Sequence, residues 1–308
     1  MHTDLTQALH YLEGQILGKP HQIKLAMTCL LANGHLLIED LPGMGKTTLS
    51  HALATVFGLE FARIQFTSDL LPADMLGVNI YNTQQGEFEF HKGPIFSQVV
   101  LADEINRASP KTQSALLEAM EEHQVSIDGQ TRALPQPFFV IATQNPSYQA
   151  GTYPLPESQL DRFLMRISLG YPDNEAEKRM LRESAGMSSH HQPRQAPPLS
   201  SEQLQTLQSQ VCKVHVSDPI VDYLLRLVNQ SRDNSEFPYP LSPRASKALL
   251  RAAQAWALLH QRDYVLPEDL QAIFTAVAEH RLRGSQTDYR DDGLLSQRIL
   301  SLTDPLAA

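Results

Sequence analysis

His35-Leu36-Leu37-Ile38-Glu39-Asp40-Leu41-Pro42-Gly43-Met44-Gly45-Lys46-Thr47-Thr48 reads as a buried strand, a tight glycine loop and the first turn of a helix. Beyond the loop, Leu49, Ala52, Leu53 and Val56 recur at helical spacing, and Gly58 is placed to end that helix. A loop that turns from strand into helix leaves backbone N–H groups unpaired at the positive helix end, where a polyphosphate fits. Lys46 can reach the outer phosphates, and the Thr47 hydroxyl can ligate a magnesium ion. Pro42, Gly43, Met44, Gly45 and Thr48 complete the nucleotide-binding loop. This is the P-loop pattern with one departure, Asp40 at the first glycine position, the most dispensable of the set.

The chain has 308 residues, enough for about two domains. Its hydrophobic fraction of 42% and charged fraction of 19% are those of a globular protein. No apolar run reaches membrane-spanning length, and Asp4, Thr6 and Gln7 stand where a signal peptide would be basic and then apolar, so the cytoplasm is the expected compartment. The two cysteines, Cys29 and Cys212, are expected as buried free thiols. A formal net charge of −9 disfavours a general nucleic-acid binder, which needs a basic face. The 12 histidines are scattered, without the spacing of a metal site; the adjacent pair His190-His191 falls in a polar stretch.

Along the chain, helical stripes at Leu5–Ile16 and Ile23–Leu31 precede the P-loop strand. Further strands are expected at Phe61–Phe66, at Val99–Leu101 before Asp103, at Phe138–Thr143 and at Phe163–Leu169. Two hairpins interrupt them. Val78 and Ile80 alternate with Phe88 and Phe90 across Thr83-Gln84-Gln85-Gly86, and Val125 and Ile127 lead into Asp128-Gly129. Strands separated by helices predict an α/β fold, a parallel five-stranded sheet with helices on both faces. Residues 186–200 have a linker's polar, proline-rich composition. Beyond them three amphipathic stripes predict a small all-α domain, with Asp218-Pro219 and Ser242-Pro243 as helix starts and Leu266 as a poor cap before Pro267. The expected division is a core over 1–185, with inserts near 78–90 and 124–133, a linker at 186–200 and a helical lid over 201–308.

In a parallel sheet, active groups gather at the carboxyl ends of the strands. Asp103 there can hold a metal, and Glu104 can act as general base for an attacking water. Asn145 can orient that water or touch the γ-phosphate. Arg244 stands two residues after the Ser242 cap, a cation at the positive end of a helix. That position is disfavoured by a few tenths to about 1 kcal/mol, which a triphosphate within reach would offset. Arg162, next to Asp161, is either half of a local ion pair or an arginine finger serving a neighbouring subunit, with Arg107 and Lys111 as alternatives for the trans-acting group.

Several of these stretches resemble the AAA+ ATPases, and specifically the MoxR family: Glu39–Thr48, Leu101–Ala108, Thr112–Met120, Ala142–Pro146, Pro156–Met165, and Ser242–Ser246 with Arg262–Val265. The resemblance implies Walker A, Walker B at Asp103-Glu104, sensor 1 at Asn145, the arginine finger at Arg162 and sensor 2 at Arg244. It further implies ATP and Mg2+ as cofactors and a homo-oligomeric, hexameric ring. It implies chaperone-like remodelling or cofactor and metal insertion on a protein client, often with a partner bearing a von Willebrand A domain. The hairpins resemble the helix-two and pre-sensor-1 inserts, which line a central pore or face a client. The rival readings are a magnesium-chelatase-type ATPase subunit, a DNA-remodelling ring and a P-loop small-molecule kinase. The last leaves Arg162 and the helical domain without a task.

Overall fold

The computed structural model describes residues 2–145, 151–185, 199–284 and 293–305. The chain opens with α1 (His2–Gln15) and α2 (Pro20–Leu31), then β1 (Leu36–Glu39), α3 (Lys46–Val56), β2 (Phe61–Gln65) and α4 (Pro72–Leu76). A hairpin of β3 (Gly77–Asn82) and β4 (Glu87–Lys92) leads to β5 (Val99–Asp103) and α5 (Pro110–Glu122). A second hairpin, β6 (Gln124–Ile127) and β7 (Gln130–Ala133), precedes β8 (Phe139–Gln144), α6 (Glu157–Leu160), β9 (Met165–Ile167) and α7 (Asn174–Ser184). The rest is helical: α8 (Ser201–Val211), α9 (Asp218–Asp233), α10 (Pro243–Leu259), α11 (Pro267–Arg283) and α12 (Leu295–Leu302). The linker residues 186–198, the pair His190-His191 and Pro146 lie outside the described residues.

Five strands form one sheet in the order β2-β5-β8-β1-β9, every pairing parallel. β1, β5 and β8 are buried along their whole length, as expected of central parallel strands covered on both faces. Alternate residues of β1 serve two cores. Leu36 and Ile38 pack with α1–α3 residues such as Leu12, Ile23 and Leu53, and the same core takes in Leu249 of α10 and Ile273 of α11. Leu37 faces the other way, toward Leu116, Leu117 and Met120 of α5. The helices beyond residue 200 thus share a continuous core with the N-terminal helices.

Both hairpins form. Asp128 (φ 49°) and Gly129 (φ 76°) supply the two left-handed positions that a two-residue turn needs. The hairpins also meet: Asn79 Nδ2 donates to Asp128 Oδ2 at 2.6 Å, and the Arg132 guanidinium lies 3.9 Å from the Phe90 ring centroid.

Three local expectations need correction. Ser217, not Asp218, is the cap position of α9; Asp218 enters the first turn, where a carboxylate suits the positive helix end. The start of α11 is better satisfied than Leu266 suggests. Asp269 Oδ2 accepts the Leu266 N–H at 2.8 Å, and Arg262 grips both oxygens of that carboxylate. Finally, Cys29 is buried and free, but Cys212 is exposed, with Arg251 donating to its sulfur.

Candidate functional site

The P-loop leaves β1 at Glu39 and enters α3 at Lys46. Gly43 (φ 86°) and Gly45 (φ 89°) both lie in the left-handed region, so only glycine takes this path without strain. Asp40, the departure from the pattern, proves to be a brace. Its carboxylate accepts the backbone N–H of Leu169 and Gly170 and the Ser168 hydroxyl, tying the loop to the chain beyond β9. Lys46 donates to the Asp40 carbonyl at 2.7 Å. Burial lowers the pKa of its ammonium, an effect opposed by Asp40, Asp103, Glu104 and Glu39.

Beside the loop is a cleft of about 420 Å³, walled by Gly43, Gly45, Lys46 and Thr47 on one side and by Asp103, Glu104 and Asn145 on the other. β5 and β8 are neighbours, so the ends of both strands meet here. Thr143 donates its hydroxyl to Asp103 Oδ1 at 2.6 Å and accepts the Glu104 N–H at 2.8 Å. That second bond fastens Glu104, whose φ of 58° is uncommon for a residue with a side chain. Asn145 Nδ2 donates to Glu104 Oε1 at 2.9 Å. Glu104 Oε2 receives Gln65 Nε2 at 3.1 Å and Arg107 Nη1 at 3.0 Å. Arg63 places Nη2 2.6 Å from Asp103 Oδ2.

Of the residues expected in this cleft, Pro42, Gly43, Gly45, Lys46, Thr47, Thr48, Asp103, Glu104 and Asn145 come together, while Met44 packs against the hydrophobic core instead. Arg63, Gln65 and Thr143 were missed, because nothing in the sequence pairs β2 with β5 or β5 with β8. Arg63-Ile64-Gln65 carried a signal all the same: two long polar side chains flanking an apolar residue near a strand end. Under the loop, Glu39 and Arg166 form a buried pair at 3.0 Å, joined by Gln144 at 2.9 Å.

Arg162 and Arg244 are elsewhere. β9 runs parallel to β1 with Met165 opposite Leu36, so Arg162 lies at the amino ends of the strands, away from the P-loop. β1 alone separates the two edges by about 10 Å. Arg162 and Arg244 line a second cavity of about 480 Å³, whose wall includes Gly34, Glu121, Lys247 and Arg281. Arg162 does not pair with Asp161, which is held by Arg281 at 2.6 Å. It pairs with Glu121 at 2.9 Å, and Arg244 bonds the same carboxylate. The compensation expected for Arg244 from a triphosphate is supplied in this chain by Glu121, with Asp161 4.0 Å from its other terminal nitrogen. Arg107 is engaged with the chain's own Glu104.

No helix among the described residues is long and apolar enough to cross a membrane, and no cluster of His, Cys, Asp and Glu among them could hold a metal by itself.

The sequence model of the ATPase family associated with various cellular activities matches residues 35–165, and that of the AAA lid domain matches residues 229–301. The chain is similar to the uncharacterized protein YeaC of Bacillus subtilis, 48% identical over 92% of this chain and 88% of that protein. It is 40% identical to Chaperone MoxR1 of Mycobacterium tuberculosis, over 92% of this chain and 76% of the relative. The crystal structure of a candidate ATPase from Cytophaga hutchinsonii superposes with a TM-score of 0.86 at 37% identity, covering 98% of this chain and 93% of that one.

Proposed function

The chain belongs to the MoxR family of AAA+ ATPases and is itself an ATPase, and from that premise we propose that it works as a ring in which one subunit binds each nucleotide and the next completes its site. Pro42 to Thr48 cradle the phosphates, with Lys46 on the outer ones. Thr47 and Asp103 would hold Mg2+; a hydroxyl and a carboxylate on one cleft are the hard oxygen donors that this ion takes. The bound ion would supply charge neutralisation on the β- and γ-phosphates. Glu104 accepts the proton of the attacking water, its carboxylate aimed by Asn145, Gln65 and Arg107.

One observation carries the inter-subunit part of this reading: Arg162 and Arg244 stand at the amino ends of the strands, while Lys46 and Glu104 stand at the carboxyl ends. Neither arginine serves its own nucleotide in this arrangement. A donor at one edge and an acceptor at the other make a head-to-tail interface, which closes into a ring; the family resemblance supports six subunits.

Turnover would drive chaperone-like remodelling or maturation of a partner protein complex in the cytoplasm, including cofactor or metal insertion, with a von Willebrand A domain protein as a further partner. The name of the relative MoxR1 supports a chaperone. The first hairpin supports a protein client, since Ile80, Tyr81 and Phe88 are exposed on it. The proposed division remains a core to residue 185 and a lid from residue 201.

The test mixes subunits. Arg162→Ala subunits and Lys46→Ala subunits are each expected to be inactive alone, and their mixed oligomer is expected to regain ATPase activity. A verified mixed oligomer without activity would overturn action in trans.

A further inference from the structure

Glu121 lies in the last turn of α5, and Arg244 in the first turn of α10. Each charge is at the wrong end of its helix, an acid at the negative end and a base at the positive end. Neither helix gains from its own residue, and α5 has no basic residue in its last turn. The two misplaced charges face each other: Arg244 Nη2 bonds Glu121 Oε1, and Arg162 Nη2 lies 2.9 Å from Glu121 Oε2. One carboxylate therefore holds an arginine of the sheet domain beside an arginine of the helical domain.

This contact is poorly suited to holding the domains together. The side chains of Arg162, Arg244 and Glu121 are 29%, 50% and 35% exposed, and pairs so open to water contribute little stability. The structural tie is the neighbouring one. Arg281 of α11 is buried, bonds Asp161 at 2.6 Å and donates to the carbonyls of Phe163 and Leu164. Glu121 is itself firmly placed. His35 accepts the Val140 N–H on Nδ1 and donates from Nε2 to the Met120 carbonyl at 3.2 Å, pinning the end of α5 to the start of the sheet.

We propose that Glu121 is the positioning residue for the pair Arg162 and Arg244, setting them side by side so that both meet a neighbouring subunit's γ-phosphate as one unit. This rests on the trans reading above. Arg162 spends one terminal nitrogen on Glu121; Arg244 spends one there and turns the other toward Asp161 at 4.0 Å, and each keeps further N–H groups for phosphate oxygens. A phosphoryl group offers three oxygens and about two negative charges against the single charge of one carboxylate. The arriving nucleotide can therefore draw both guanidinium groups forward while Glu121 fixes their spacing. The carboxylate also prevents two cations from repelling each other before the phosphate arrives.

The experiment is a kinetic cycle on the assembled protein. Glu121→Gln keeps the side-chain shape and removes the charge. It is expected to lower kcat about ten- to a hundredfold, the cost of groups misplaced by about an ångström, while ATP affinity stays within about twofold, since Glu121 is remote from its own cleft. In an Arg162→Ala, Arg244→Ala background, which has no turnover left to lose, the same change should leave ATP affinity and melting temperature where they were; a folding defect would lower them there too. Mixing Glu121→Gln with Lys46→Ala subunits should restore turnover, the latter supplying intact arginines. Near-normal kcat in Glu121→Gln, or a fall in melting temperature or ATP affinity that persists in the arginine-free background, overturns the proposal. If Glu121→Gln is near normal but Arg162→Ala is still rescued by Lys46→Ala, Glu121 fails and the trans reading stands. If Arg162→Ala is not rescued, the trans reading fails as well.

Discussion

Arg63 sits across the cleft from the P-loop with its guanidinium 2.6 Å from the outer oxygen of Asp103. β2 lies beside β5 with Gln65 opposite Asp103, so Arg63 reaches along the sheet to the carboxylate proposed to hold the metal. A cation on that oxygen competes with Mg2+. The Arg63 side chain is 49% exposed, which limits such a pair to about 1 kcal/mol, or about fivefold in binding. Arg63→Gln is expected to lower the Mg2+ concentration for half-maximal ATPase activity about two- to fivefold. A Mg2+ titration of turnover checks this; an unchanged or higher requirement counts against competition.

Thr143 joins the two acidic residues through one hydroxyl, donating to Asp103 and accepting from Glu104. Thr143→Val keeps the shape and leaves a buried carboxylate oxygen and a backbone N–H without this partner, a cost of about 1–3 kcal/mol. The unusual backbone of Glu104 also loses its tether. Expected are a melting temperature lower by several degrees and a kcat reduced more strongly than ATP affinity. Calorimetry and steady-state kinetics on one sample measure both. A full loss of ATP binding would mean that the hydroxyl supports the loop instead.

His35 gives the protein a pH dependence of known sign. It is buried, accepts the Val140 N–H and has its pKa lowered from 6.5 to about 4, chiefly by desolvation, with a smaller contribution from His123. Its contribution to stability is therefore full above pH 6.5 and declines as pH falls toward 4, because the unfolded chain binds the proton first. Buried His280, with a pKa lowered by burial and then by Arg281, acts in the same direction. Denaturant unfolding is expected to lose on the order of 2 kcal/mol from His35 between pH 7 and pH 5, with a further loss of the same sign from His280. His35→Gln should flatten that slope by the share of one histidine; an unchanged slope would remove His35 from the account.

Phe88 is 72% exposed on β4, and its ring packs edge-on to Tyr81 at 5.3 Å between centroids. An exposed aromatic pair on a hairpin is a natural client contact. Phe88→Ser is expected to leave basal ATPase activity unchanged and to remove the proteins retained by a Glu104→Gln trap in ATP. Affinity capture with and without Phe88 tests this, and identical retained sets would exclude the hairpin tip.

Much of the fold was legible because its signals are local. The apolar run Leu36–Ile38, the Gly43 and Gly45 turn and the stripe Leu49-Ala52-Leu53-Val56 are each satisfied within a few residues. Asp128-Gly129 states its own turn in two. Helix ends were less legible: Ser217 and Asp218 compete as caps one residue apart, and the support Asp269 gives Leu266 depends on Arg262 holding its carboxylate.

The sequence by itself determined the phosphate loop, the acidic pair Asp103 and Glu104 at a strand end, and the succession of strands and helices that makes a parallel sheet. Those follow from backbone geometry and short-period burial, which need only neighbours in the chain. The tertiary structure alone decided strand order, and with it the placement of Arg63, Gln65 and Thr143 around that acidic pair. It also decided that Asp40 braces the loop, and that Arg162 and Arg244 meet on Glu121 at the far edge of the sheet. A charged side chain is assigned by whichever opposite charge the packed core brings within about 3 Å, and docking of the helical domain onto the sheet, not spacing along the chain, sets that distance.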